Sequence, residues 1–162
     1  MASLAKSICL DVQRQGSAEP APDVLTRFLH RHMGNSILDQ RSVVKLLLEL
    51  ADAREADLAV AALGCLRQQR LQVNTWVASA TLKACRKTSA WAGALQVLRG
   101  LADDRVEMDL VTYNGTISVC EKGGQWVLAL ALLREMAGTS VERDTITYSA
   151  AVSACEKVGE WW

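Results

Sequence analysis

Residues Val111–Trp126 read VTYNGTISVCEKGGQW, and the stretch Ile146–Trp161 reads ITYSAAVSACEKVGEW. The two lie 35 residues apart, and Thr112/Thr147, Tyr113/Tyr148, Ser118/Ser153, Cys120/Cys155, Lys122/Lys157, Gly124/Gly159 and Trp126/Trp161 are identical. A fixed period of this size marks a stacked array of short units, each leaning on its neighbours. One period earlier, Thr81, Cys85, Lys87, Trp91, Leu98 and Asp109 match Thr116, Cys120, Lys122, Trp126, Leu133 and Asp144. A further step gives a worn copy with Ala59, Leu63 and Asn74, and a last step places Leu25, Phe28 and Asp39 in register. The units expected are therefore 1–39 (a degenerate repeat or cap), 40–74 (degenerate), 75–109, 110–144 and an incomplete 145–162.

Within each unit the apolar spacing is helical. Tyr113, Ile117 and Cys120 step by four and three along one segment, and Ala129, Leu130, Leu133 and Met136 do so along the next. Gly123-Gly124 separates the two as a turn. The pairs expected are Ser42–Asp52 with Asp57–Gln68, Val77–Lys87 with Ala90–Leu101, and Thr112–Lys122 with Gln125–Ala137. Gly115, Ala80 and Ala150 fall where small side chains let helices approach. The fold class that follows is all-α, a right-handed α-solenoid. An N-terminal helix over Leu4–Gln15 and a breaker at Gly16–Pro22 precede the array.

Composition agrees with helices packed through Ala and Leu: half of the 162 residues are apolar and 5% aromatic. The only prolines are Pro20 and Pro22, so none interrupts the later helices. Lysine and arginine balance aspartate and glutamate at 18 each, which argues against a polybasic tail or membrane-surface patch. No apolar run reaches the roughly 18 residues that span a bilayer. Cys85, Cys120 and Cys155 are one repeat position seen three times, and they read as buried thiols in the seam between units. His30 and His32 fall on different helix faces, so no metal or other cofactor is expected. The N-terminus carries Lys6 and Arg14 with several serines, but Asp11 interrupts what an organellar presequence would keep free of acids.

The pattern VTYN…S.CEKGGQW..AL.LLREM……V..D resembles the pentatricopeptide repeat family more closely than the tetratricopeptide family, whose period is 34. The VTYN opening, the paired glycines, the AL.LLREM helix and the closing aspartate carry the resemblance, over 75–162 above all. It implies a groove that binds single-stranded RNA at one base per repeat. The implied base readers pair a first-helix residue with the residue that ends the unit: Asn114 with Asp144, Ser79 with Asp109, Val44 with Asn74, and Cys9 with Asp39. The first pair resembles a uridine reader and the second a guanosine reader. Val44 and Cys9 offer a base edge no good hydrogen bond, and Ser149 has no closing partner within the sequence.

Val111, Ile146 and Trp76 occupy the position that packs against base faces, with packing between units as the alternative for Trp76. Trp91, Trp126 and Trp161 open second helices and read as core or turn packing. Lys87, Lys122 and Lys157 end first helices, where they would meet phosphate or complement the helix dipole. No catalytic constellation recurs, so no enzyme activity, small-molecule substrate or membrane association is expected. The resemblance implies an RNA-binding adaptor in organellar RNA processing or stabilisation, in mitochondrion or plastid. The competing reading is a protein-interaction scaffold without RNA binding. The unfinished last unit reads as a fragment or truncated gene model, or as an open end that docks a protein partner.

Overall fold

The computed structural model describes residues 10–11, 40–68, 73–157 and 159. The expectations for unit 1–39, for Cys9 with Asp39, for the two histidines, and for Trp161 lie outside them. The described residues form seven helices and no strand: α1 Gln40–Asp52, α2 Ala56–Gln68, α3 Thr75–Thr88, α4 Trp91–Asp103, α5 Leu110–Lys122, α6 Trp126–Ala137 and α7 Thr145–Glu156. None of them is long and apolar enough to cross a membrane.

First helices α3 and α5 begin two residues before the expected starts, and the reason is a cap, which α7 shares. Asn74 Oδ1 accepts the Val77 N–H at 3.0 Å, Asp109 Oδ1 accepts that of Thr112 at 2.8 Å, and Asp144 Oδ1 accepts that of Thr147 at 2.8 Å. Each residue read as closing a unit is thus the N-cap of the next helix, satisfying a donor that has no partner within the helix. The turns recur as faithfully. Arg54, Ser89, Gly124 and Gly159, each 35 residues from the next, all adopt positive φ, at 62°, 59°, 68° and 75°. Beside three of them the same bond closes the first helix: Glu55, Ala90 and Gln125 donate to the carbonyls of Leu50, Cys85 and Cys120 at 2.8–3.0 Å. This is the Schellman arrangement, kept where the sequence has lost its glycine.

Helices α1, α3, α5 and α7 pack side by side in one row, with α2, α4 and α6 behind them. No Cα atom of α4 comes within 8 Å of one in α6, whereas α3 and α5 approach closely. The first helices being closer together than the second, the first row forms the inner, concave side. Gly115 helps set that spacing, since a methyl group added there would touch the Leu82 side chain of α3 at 3.6 Å. The core runs along the array: Leu47, Leu50, Val77, Leu82, Val97 and Leu101 in one cluster, and Tyr113, Ile117, Cys120, Ala129 and Met136 in the next. Cys85 and Cys120 are buried free thiols in those seams, and Cys65 is buried as well. The buried Thr81 and Thr116 hydroxyls donate to the carbonyls four residues back, Val77 and Thr112, which satisfies them without a cross-helix partner.

Leu130 departs from the expected apolar face: it is exposed, and Leu132 is buried instead. Two periods earlier Val60 lies over Gly93 of α4. Beside α6, the described residues supply no next second helix. The same lack leaves Tyr148 46% exposed where Tyr113 is 1% exposed, and Val152 58% exposed where Ile117 is fully covered.

Candidate functional site

Between α3 and α5, on the inner row, runs an open cleft of about 450 Å³. Ser79, Lys83 and Arg86 line it from α3, four and three residues apart and so on one face. Val111, Asn114 and Ser118 line it from α5, and Asp144 and Ile146 close its far end. Asn114 and Asp144 stand 30 residues apart in sequence and meet here. Asn114 Nδ2 donates to both carboxylate oxygens, at 3.2 and 3.3 Å.

Thr147 ties the pair together. Its hydroxyl lies 2.6 Å from Asn114 Oδ1 and 2.8 Å from Asp144 Oδ1, and the Asp144 N–H donates back to it at 3.3 Å. The hydroxyl has a single proton, so it serves one of the two acceptors at a time. Either way the amide is held with nitrogen toward the carboxylate and oxygen toward the threonine. One amide proton and a lone pair on Oδ1 are left for a ligand. The backbone N–H of Thr147 and then its hydroxyl hold the Asp144 carboxyl below its usual range; burial opposes them by more than the Asn114 bond adds. The group is therefore an acceptor at neutral pH.

The other implied pairs differ. Asp109 accepts from the backbone and hydroxyl of Thr112, at 2.8 and 2.7 Å, and shares no hydrogen bond with Ser79. Ser79 is half-buried in the cleft wall and Asp109 is exposed. Val44 is buried, so it cannot present an edge to the groove, and Asn74 serves its cap alone among the described residues. Ser149 is exposed, with its hydroxyl turned back onto the Thr145 carbonyl at 2.7 Å.

Trp76, Val111 and Ile146 are 56%, 62% and 64% exposed. Such exposure leaves each of them free to cover an apolar face of a ligand. Trp91 and Trp126 do pack: Trp91 lies against Gly123 of the next turn, and Trp126 is half-buried on the second core cluster.

The terminal lysines behave unequally. Lys87 bonds Asp52 at 2.5 Å and Lys157 bonds Glu121 at 2.8 Å, each reaching back to the preceding first helix. The Lys87 hydrogen bond holds the Asp52 carboxyl below its ordinary value. Burial pushes the Glu121 carboxyl up, but the hydrogen bonds from Lys157 and Ser153 and the cations nearby outweigh it. Lys122 is exposed and forms no ion pair among the described residues, because the position it would reach back to is Lys87. Reading the sequence from unit ends missed Lys83, Arg86 and Thr147. The first two were available as a helical stripe with Ser79; nothing local marked the third.

No protein-family model and no curated protein sequence matches the chain. Among solved structures it is similar to two crystal structures of the pentatricopeptide repeat protein PPR10, each in complex with an 18-nt psaJ RNA element, one of them a triple cysteine-to-serine variant. In both comparisons the TM-score is 0.67 at 20% identity, over 95% of this chain and 22% of the other. The chain thus spans about a fifth of the length of the proteins it matches. Seven helices in paired succession, capped and turned at a 35-residue interval, superimpose on those repeats, and the chain has the α-solenoid fold of the pentatricopeptide repeat proteins.

Proposed function

We propose that this chain is a member of the pentatricopeptide repeat family and that its inner row of helices binds single-stranded RNA. The observation that carries the reading is the Asn114–Asp144 contact at the cleft edge, flanked by exposed Val111 and Ile146. An amide held by a carboxylate presents a donor and an acceptor side by side, which matches the N3–H and carbonyl edge of uracil. Apolar side chains on either side supply faces for the base to rest on. In this reading the repeats are 75–109 and 110–144, with 40–74 as a degenerate neighbour and 145–162 as an unfinished one.

Asn114 with Asp144 reads a uridine and Ser79 with Asp109 a guanosine, the latter pair being drawn together only by the base. Trp76 stacks on the preceding base, and Lys122 meets phosphate. The chain acts as an adaptor on organellar transcripts, in mitochondrion or plastid, without catalysis of its own. Two readable bases do not specify a transcript, so selection of a target requires further repeats or a partner. The structural likeness to two RNA-bound solenoids supports this reading.

Fluorescence anisotropy with short single-stranded RNAs tests it. Tighter binding to RNA with adjacent G and U than to homopolymers or duplex is expected, with the preference lost in Asn114→Val and Ser79→Val. A folded chain that binds none of these RNAs at low salt overturns it and favours a protein-interaction scaffold.

A further inference from the structure

Charge is unevenly spread along the inner row. The positions in register along the first helices read Val44-Leu48-Ala51 on α1, where Val44 and Ala51 are buried, Ser79-Lys83-Arg86 on α3, Asn114-Ser118-Glu121 on α5 and Ser149-Ser153-Glu156 on α7. Cations stand on α3 alone. The acid on α5 is engaged, since Glu121 accepts from Lys157 at 2.8 Å and Ser153 at 3.1 Å. Lys83 and Arg86 are both exposed, and both line the cleft that holds Asn114 and Asp144. Neither has a salt bridge or side-chain hydrogen bond among the described residues; Lys83 only feels the charge of Asp52, whose carboxylate is already bonded to Lys87.

We propose that Lys83 and Arg86 form a phosphodiester-binding subsite on the α3 wall of this cleft, which anchors the RNA backbone beside the base at Asn114. The inference rests on the RNA reading above. Two cations one turn apart straddle a single phosphate, the guanidinium as a planar fork and the ammonium as a point charge. The end-of-helix lysines are less suited to this task. Lys87 and Lys157 must give up Asp52 and Glu121 before they can bind an anion, whereas Lys83 and Arg86 lose only water. Asp144 at the far end keeps the phosphate on the α3 side by repulsion, so the base and backbone of one nucleotide are sorted to opposite walls.

The test is the salt dependence of RNA binding. Each phosphate contact to a single strand contributes about 0.7 to the slope of log affinity against log salt. Lys83→Gln/Arg86→Gln is expected to flatten that slope by at least about 0.7 and to weaken all RNAs alike, leaving the preference for adjacent G and U. The charge-retaining swap Lys83→Arg/Arg86→Lys is expected to keep the slope, and Lys87→Gln/Lys157→Gln to change it less. If the parent chain binds RNA and the double glutamine variant, folded by circular dichroism, keeps the parent slope, the subsite is wrong while the RNA reading stands. If the parent binds no RNA, both fall.

Discussion

Asp144 does two things with one carboxylate: it caps α7 through the Thr147 N–H, and it holds the amide of Asn114. Its lowered pKa makes the first of these visible to titration. The fold favours the ionised form, so the resulting stabilisation is fully present above the ordinary value of 3.8 and is lost as pH falls through the lower folded value. Urea midpoints of the parent and Asp144→Asn should therefore differ most at neutral pH and converge below pH 3.8. Asparagine still caps a helix, so the comparison isolates the charge; a gap unchanged by pH would refute it. Asn74 caps α3 without charge, and Asn74→Ala should cost about 1 kcal/mol at any pH. The thiols divide by burial in the same way. Burial pushes Cys85 and Cys120 up to about 11, while Cys155 is only half-buried. Mass spectrometry after brief iodoacetamide treatment at pH 7.5 should find Cys155 modified ahead of both.

At the scale of elements, the turn after each first helix imposes one left-handed residue whatever side chain it carries. Ser89 accepts that conformation at φ 59° and Gly124 at φ 68°. A side chain in this region costs roughly 1 kcal/mol relative to glycine. Ser89→Gly should thus raise stability by up to about 1 kcal/mol and Gly124→Ala should lower it by a similar amount. The adjacent Gly123 tests something else, since its backbone is unstrained. A methyl group there would lie 2.9 Å from Trp91 Cδ1 and 3.3 Å from Trp91 Cβ. Gly123→Ala should therefore destabilise by roughly 1–3 kcal/mol through overpacking, and much less in a Trp91→Ala background. A denaturation double-mutant cycle that gives additive effects would dismiss the contact.

Across the whole molecule, ion pairs join neighbouring helix pairs: Arg67 clasps Asp104 with two bonds at 2.8 and 3.1 Å, and Lys87–Asp52 and Lys157–Glu121 link first helices. Being partly exposed and screened by water, these pairs contribute little, and apolar contact between neighbours does most of the holding. That makes the face left by α6 and α7 informative. Glu135 of α6 accepts the Tyr113 hydroxyl at 3.1 Å, and burial followed by this bond pushes Tyr113 up to about 12. Tyr148 and Val152 have no such cover. Continuing the chain after Trp162 with a copy of Leu128–Asp144 should bury both and stabilise by about 2 kcal/mol or more, roughly 4–8 °C in Tm. An unchanged Tm would mean that this face does not accept a helix in the way α5 accepts α6.

The sequence by itself determined the period, the helix pairs and the all-α class. In a solenoid each unit meets only its neighbours, so a local pattern of apolar spacing, turn and cap repeats directly in space. Asn114, Asp144, Val111 and Ile146 entered as groove residues through the resemblance to the pentatricopeptide repeat family, and all four line one cleft. Tertiary structure alone decided what those residues touch. It joined Asn114 to Asp144 but not Ser79 to Asp109, buried Val44, engaged Lys87 and Lys157 with the acids of the preceding helix, and brought Lys83 and Arg86 into the cleft. Such outcomes depend on distances between side chains some 30 residues apart, and the packing of one helix against the next sets those distances.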